Sequence, residues 1–131
     1  RVINFFNKYF PNKSFIGIEY FSSQFSYCKK IFAKYSNIII YQEDFTKVDF
    51  LQYNADCYFF NNPWRNEDDP FDYILNMSKL LSDKTYLIIL VNYSKKFCDK
   101  LNNSLKNSKC IDSYYIKHNK GYHILEINSE R

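Results

Sequence analysis

The chain has 131 residues, the length of one domain and enough for a single hydrophobic core. Hydrophobic residues make up 46% and charged residues 24%, which excludes disordered, collagen-like and low-complexity chains. The 18 Lys and Arg residues against 14 Asp and Glu residues leave a net charge of +4. No dense basic run accompanies this charge, so a nucleic-acid partner is only weakly supported.

Apolar periodicity predicts helices and strands in the order α-β-α-β-β-α-β-α-β-β. Helices are predicted at residues 2–9, 22–35, 70–81 and 94–105, and strands at 15–19, 37–41, 55–60, 85–91, 110–118 and 122–127. Ser22 or Ser23 is the expected N-cap of the second helix. Pro70 suits the first turn of the third helix. The strands at 37–41 and 55–60 are continuous apolar runs, which predicts burial on both faces.

This alternation predicts an α/β fold, a Rossmann-like, parallel-rich sheet with helices on both faces. Two final strands joined through Asn119-Lys120-Gly121 predict a closing antiparallel β-hairpin. Neither a linker nor a repeat interrupts residues 1–131, so we expect one domain.

The cysteines are widely spaced and form no zinc or redox motif. They are Cys28, Cys57, Cys98 and Cys110, and all fall at apolar positions, so we expect buried free thiols. No apolar stretch is long enough to span a membrane and no signal peptide is recognisable. We therefore expect a cytoplasmic protein without a membrane span and without a metal site.

Polar residues follow three predicted strands, at the strand ends where α/β sheets bind ligands. Glu19 ends the first strand, Asp44 follows the second, and Asn61-Asn62-Pro63-Trp64 closes the third. A carboxylate after one strand can accept both hydroxyls of a ribose, and a carboxylate after the next can reach an adenine amino group. This pattern predicts adenosine recognition.

Three segments and the closing hairpin together resemble the class I, Rossmann-like S-adenosylmethionine-dependent methyltransferases. The segments are Gly17-Ile18-Glu19, Glu43-Asp44-Phe45 and residues 55–64. The resemblance implies that Glu19 binds the ribose hydroxyls of S-adenosylmethionine, Asp44 the adenine N6, and Phe45 the surroundings of the adenine ring. It also implies that Gly17, Tyr20 and Asn61 contribute to the cofactor site.

The third segment ends in a motif that resembles the Asn/Asp-Pro-Pro-aromatic motif of amino-methylating enzymes, with Asn62 in place of the first proline. It is equally similar to the Asn-Pro-aromatic ending of small bacterial class I methyltransferases and to the Asn-Asn ending of non-SET histone lysine methyltransferases. By this resemblance the catalytic residues are Asn61, Asn62, Pro63 and Trp64. Asn61 would orient an acceptor amine or hydroxyl, Trp64 would shape its pocket, and the acceptor itself stays unidentified.

The family's glycine-rich loop has no counterpart, because the chain contains only Gly17 and Gly121. We therefore expect a methyltransferase-like domain that lacks its first strand and glycine-rich loop. Two other interpretations stay open: a non-catalytic binding or scaffold domain of the same fold, and another adenosine-cofactor enzyme such as a dehydrogenase. The aromatic and basic run Tyr114-Tyr115-Ile116-Lys117 could also contact nucleic acid, although strand chemistry explains it equally well.

Overall fold

The structure is a computed structural model that describes residues 2–61, 68–81, 83–116 and 120–128. The chain divides into two compact units, residues 1–48 and residues 49–131. The predicted order of helices and strands is confirmed, with two additional 3-10 helices before the third strand. The fold is therefore α/β, with parallel strand pairs and an antiparallel finish, as predicted.

The first unit is a two-stranded parallel sheet with two helices. Its elements are α1 (Val2–Tyr9), β1 (Phe15–Glu19), α2 (Ser22–Phe32), β2 (Ile38–Gln42) and a 3-10 helix at Phe45–Lys47. Phe15 lies opposite Ile38 and Glu19 opposite Gln42, so both strands end at the same edge of the sheet.

Gly17 lies where β1 meets α1. A Cβ atom there would lie 2.8 Å from Cδ1 of Ile3 and 2.7 Å from Cδ1 of Ile40, so glycine lets the helix approach the strand closely.

The two faces of β2 differ in burial. Ile38 is buried, whereas Ile39, on the other face of the strand, is 48% exposed. The prediction that this strand is buried on both faces is wrong, because a run of consecutive apolar residues does not reveal which face has a neighbour.

The predicted serine N-cap of α2 is also wrong. The N-cap is Phe21, in an extended backbone conformation and without a side-chain capping bond, so Ser22 already lies inside the helix. The Phe21 N–H instead donates to Oε1 of Glu19 at 3.1 Å. A carboxylate two residues upstream thus satisfies the N–H of the N-cap residue itself, one of the donors that a helix start leaves without an intrahelical partner.

The second unit is a four-stranded sheet in the order β3-β4-β6-β5, with β3 and β4 parallel and the remaining neighbours antiparallel. Its elements are a 3-10 helix at Phe50–Tyr53, β3 (Cys57–Asn61), α3 (Asp68–Leu80), β4 (Thr85–Val91), α4 (Lys95–Ser104), β5 (Ser108–Ile116) and β6 (Lys120–Asn128). The closing antiparallel pair is confirmed, but Lys120 and Gly121, which the sequence assigns to its turn, already pair with β5 as the first residues of β6. Residues 117–119 lie outside the described residues.

Alternate residues of β3, β4 and β6 build the core of this unit. The buried strand residues are Tyr58, Phe60, Tyr86, Ile88, Leu90, His123, Leu125 and Ile127. Ile74 of α3 and Leu101 of α4 are fully buried as well. Cys57 is exposed at the start of β3, so here too burial on both faces is wrong. Burying apolar surface of this extent is the main stabilising contribution to the unit.

Both helices of the second unit begin with a residue of a type that favours a helix start. Pro70 lies in the first turn of α3, as predicted. Ser94 is the N-cap of α4, and its Oγ accepts a hydrogen bond from the Phe97 N–H at 3.0 Å.

Of the four cysteines only Cys98 is buried, so the expectation of four buried thiols is wrong. No helix in the described part of the chain combines the length and the apolar character needed to cross a membrane.

Gly121 in β6 adopts a backbone conformation that only glycine tolerates well, with φ at 150°. A Cβ atom at this position would lie 1.9 Å from the backbone oxygen of Tyr114 on β5. Backbone oxygen cannot rotate away as a flexible side chain can. The antiparallel pairing of β5 with β6 therefore requires glycine here.

We expect Gly121→Ala to lower the free energy of unfolding by about 3 kcal/mol, because the strand backbone must move to admit the methyl group. Gly17→Ala is the matched control, since its Cβ meets only the ends of two isoleucine side chains, and we expect a loss of about 1 kcal/mol. Urea unfolding followed by circular dichroism measures both. Equal losses for the two variants would contradict the role given to Gly121.

A buried polar pair joins β5 to β6. His123 is 3% exposed, and its Nδ1 lies 2.6 Å from the hydroxyl of Tyr115. Burial lowers the pKa of His123; Asp99 opposes this shift and Lys95 adds to it. Burial, and after it a hydrogen bond with Cys98, raises the pKa of Tyr115. Both side chains are therefore held in their neutral forms.

The buried histidine predicts acid sensitivity. Because its folded pKa lies below the ordinary value of 6.5, the unfolded chain takes up a proton more readily. The stability contributed by neutral His123 is fully present above about pH 6.5 and is lost as the pH falls below that value.

We expect the urea midpoint of the wild type to fall more between about pH 7.5 and about pH 5.5 than that of His123→Gln, whatever their absolute stabilities. Asn103→Gln, at an exposed position on α4, is the control and should keep the wild-type pH dependence. An identical pH dependence in His123→Gln and the wild type would refute the assignment.

Candidate functional site

Glu19 lies at the carboxyl end of β1, where a local hydrogen bond orients its side chain. Its Oε1 accepts the Phe21 N–H at 3.1 Å. Its backbone oxygen accepts the Glu43 N–H at 3.1 Å, which continues the pairing of β1 with the chain that follows β2. The carboxylate is thus held at the strand end by the start of α2.

Asp44 lies just beyond β2 and is the N-cap of the first 3-10 helix. Its Oδ1 accepts from the Thr46 N–H at 3.0 Å and from the Thr46 hydroxyl at 2.7 Å. The hydroxyl bond is the largest cause of a lowered pKa of Asp44; the N–H bond and Lys47 lower it further. Lys47 Nζ lies 3.8 Å from Oδ2 and is largely exposed, so this ion pair contributes little.

Because β1 and β2 are parallel, Glu19 and Asp44 lie at the same edge of the two-stranded sheet. Tyr20, immediately after Glu19, is 64% exposed, and its ring meets that of Phe21 edge-on with centroids 5.4 Å apart. Phe45 begins the 3-10 helix and is half-buried. The first unit therefore carries a fixed pair of carboxylates with an exposed aromatic ring beside one of them.

Gly17 has a packing role in the structure, because its missing Cβ leaves room for Ile3 and Ile40. Its contribution to a cofactor site stays a prediction. Sequence reasoning based on the motif does not separate these two roles, since either one requires a residue without a side chain.

In the second unit Asn61 ends β3, opposite Val91 at the end of β4. Its Oδ1 accepts a hydrogen bond from Nδ2 of Asn92 at 2.9 Å. The other predicted catalytic residues, Asn62, Pro63 and Trp64, lie outside the described residues.

Asn92 is a residue that the motif search missed. It has a left-handed backbone conformation with φ at 63°, and its N–H donates to the Gly121 oxygen at 3.0 Å. The available signal was an asparagine directly after a buried strand, which is equally typical of an ordinary turn. Only the pairing of the strands shows that its side chain reaches Asn61.

Two other expectations concern metals and nucleic acid. Within the ranges that the structure describes, no three His, Cys, Asp or Glu side chains cluster as metal ligands. Tyr114 is exposed, whereas Tyr115 bonds to buried His123, so these neighbouring rings do not form one continuous stacking surface. Lys117 lies outside the described residues.

Comparisons with protein-family models and with curated proteins find no match. Solved structures do match. A putative methyltransferase from Pseudomonas syringae aligns with a TM-score of 0.60 at 6% identity, over 88% of this chain and 73% of that chain. A point mutant of MtNAS aligns with a TM-score of 0.55 at 11% identity, over 97% of this chain and 58% of that chain.

These likenesses show a methyltransferase-like fold. At such low identity they concern the course of the backbone and not the residues of a site. The chain spans under two-thirds of the MtNAS structure, which contains additional polypeptide. The likeness therefore shows the fold and not the activity or the substrates of the protein.

Asp44 provides a test of its capping role. Asp44→Asn keeps a side-chain oxygen for Thr46, so we expect its urea midpoint to match the wild type. Asp44→Ala removes the acceptor and should lower the midpoint. Equal midpoints for Asp44→Ala and the wild type would show that the cap contributes nothing to stability.

Proposed function

We propose that this protein is an S-adenosylmethionine-dependent methyltransferase. The observation that carries the proposal is the pair Glu19 and Asp44 at the ends of adjacent parallel strands, within a fold similar to that of a putative methyltransferase. Parallel α/β sheets bind ligands at such strand ends. The two carboxylates are acceptors suited to the ribose hydroxyls and the adenine amino group of an adenosine cofactor.

The residues fit this cofactor in their chemistry. Glu19 is held by the Phe21 N–H through Oε1, and we assign its carboxylate to the ribose hydroxyls. Asp44 is held in its ionised form by Thr46, and we assign it to the adenine N6. Tyr20 and Phe45 would flank the adenine ring, where aromatic faces stack well.

When bound, S-adenosylmethionine supplies an electrophilic methyl group that an acceptor nucleophile attacks in line. We assign Asn61 to orient the acceptor amine or hydroxyl, and Asn62, Pro63 and Trp64 to shape its pocket. The contribution of the protein would be approach geometry and exclusion of water, which need no metal ion.

We also propose that the chain acts as part of a single domain that includes a further strand and a glycine-rich loop. Among the described strands, β1 pairs only with β2. The backbone groups along the other long side of β1 can therefore accept a further strand. Backbone groups at such an edge are the natural place for another strand.

Glu19→Ala tests the cofactor assignment. If Glu19 accepts hydrogen bonds from the ribose hydroxyls, we expect S-adenosylhomocysteine to bind roughly 10- to 150-fold more weakly, since hydrogen bonds to a charged group contribute about 1.5 to 3 kcal/mol. Calorimetric titration measures this on the chain described here and on any longer natural form of it.

Glu43→Ala is the matched control, because the Glu43 side chain is an exposed carboxylate at the same edge of the sheet and its backbone bond to Glu19 does not involve the carboxylate. It should bind S-adenosylhomocysteine as the wild type does. Wild-type affinity in Glu19→Ala would remove Glu19 from the cofactor site. A wild type that fails to bind in every form would favour the non-catalytic interpretation of the fold.

A further inference from the structure

Strand β2 has an open long side. Among the described strands it pairs only with β1. The Phe15 N–H donates to the Asn37 oxygen and the Glu43 N–H to the Glu19 oxygen, so Asn37 and Glu43 face β1. Since the backbone groups of successive residues point to alternate sides of a strand, the even-numbered residues of β2 point away from β1. These residues, which can pair with a further strand, are Ile38, Ile40 and Gln42.

This edge lacks the features that keep other strands away. Edge strands are usually protected by charged side chains, by proline or by a bulge. Strand β5, at the edge of the other sheet, has the exposed charges of Lys109 and Asp112 and a shift of register between Cys110 and Asp112. Strand β2 has neither charge nor proline, and its register with β1 is regular throughout. Its edge is therefore suited to pairing.

A groove of about 330 Å³ lies beside this edge, between β2 and the end of α2. Side chains of successive strand residues point to opposite faces, so a groove bordered by three of them in a row reaches the strand backbone. A peptide paired with β2 would therefore place side chains in a mainly apolar groove. The lining residues are Lys29, Phe32, Ala33, Tyr35 and residues 38–40.

The charge around the end of α2 is positive. Lys29, Lys30 and Lys34 are all exposed there. Nζ of Lys29 lies 5.5 Å from the centre of the Phe25 ring, and Nζ of Lys34 lies 5.2 Å from that of Tyr35. Within the part of the chain that the structure describes, none of these lysines forms an ion pair with a carboxylate. A partner with carboxylates would complement this charge.

We propose that the β2 edge binds an extended, acidic segment of a partner protein by strand addition. The backbone of that segment pairs with β2, its apolar side chains enter the groove, and its carboxylates meet Lys29 and Lys34. A second copy of this chain fits less well, because pairing β2 with its own copy would bring like charges together. The site uses the long side of β2 and is independent of the proposed cofactor.

The test uses two synthetic peptides and the backbone amide resonances of the isotope-labelled protein. The first peptide is capped Glu-Thr-Val-Thr-Val-Thr-Glu, whose alternate residues put valine and glutamate on one face; in the second, lysine replaces both glutamates. The glutamate peptide should shift the Ile38, Ile40 and Gln42 amide resonances in a saturable way. The lysine peptide should bind at least about five-fold more weakly, because its charges repel those of α2.

Gln42→Pro tests the strand pairing. Its side chain is exposed and its N–H points away from β1, so proline removes no bond of the sheet. We expect the glutamate peptide to bind this variant at least about five-fold more weakly, because one donor is lost and the ring obstructs a neighbouring strand. Gln42→Ala keeps the N–H and should bind within about twofold of the wild type. Equal affinities for the two variants would overturn the proposal.

Lys29→Gln tests the charge of the groove. It should weaken binding of the glutamate peptide roughly two- to five-fold, as expected for one exposed ion pair. Lys8→Gln is the matched control, since Lys8 is an exposed lysine of α1 that does not line the groove. Equal weakening by both substitutions would show a general effect of net charge and would overturn the assignment of the groove.

Two further outcomes would overturn the proposal. One is the absence of shifts at these three amides with the glutamate peptide at about 5 mM, a concentration at which even millimolar affinity is detected. The other is a dimer of the wild type, measured by sedimentation without peptide, that Gln42→Pro dissociates. That result would show that a second copy of the chain occupies the edge.

Discussion

Parallel strand pairing is the constraint on which the candidate site depends. Because β1 and β2 run in the same direction, Glu19 and Asp44 lie at one edge of their sheet. The pairing of β3 with β4 does the same for Asn61 and Asn92. Antiparallel pairing in either case would place the two residues at opposite ends of a five-residue strand, roughly 16 Å apart.

Local hydrogen bonds then fix the polar side chains that parallel pairing brings to these edges. A backbone N–H holds Glu19, the N–H and hydroxyl of Thr46 hold Asp44, and the amide of Asn92 holds Asn61. Side chains that are oriented before a ligand arrives lose less conformational freedom on binding. The arrangement therefore suits recognition, and the bonds of Glu19 and Asp44 also satisfy donors at the starts of helices.

The closing strands β5 and β6 do more than complete the sheet. The obligatory Gly121 of β6 supplies the oxygen that holds the backbone of Asn92, and the buried His123 of β6 bonds to Tyr115 across the pair. The first depends on the antiparallel pairing of β6 with β4, and the second on its pairing with β5. Stability, its dependence on pH and the geometry next to Asn61 are thus connected through one element.

The sequence by itself determined the fold class and the order of the elements, and it placed β1 and β4 at their observed bounds. Those strands are short apolar runs between polar residues, a local signal that needs no knowledge of neighbours. It also indicated Glu19, Asp44 and Asn61 as strand-end residues. Whether these residues bind a cofactor and an acceptor stays a prediction.

Only the tertiary structure decided which faces are buried, where α2 is capped and what Asn92 does. Ile39 is exposed although its neighbour Ile38 is buried, because burial depends on what packs against each face of the strand. Asn92 reaches Asn61 because β4 lies between β3 and β6, an order that no local pattern encodes. Periodicity reports contacts between near neighbours in the chain, whereas register and strand order arise from contacts between residues far apart in it.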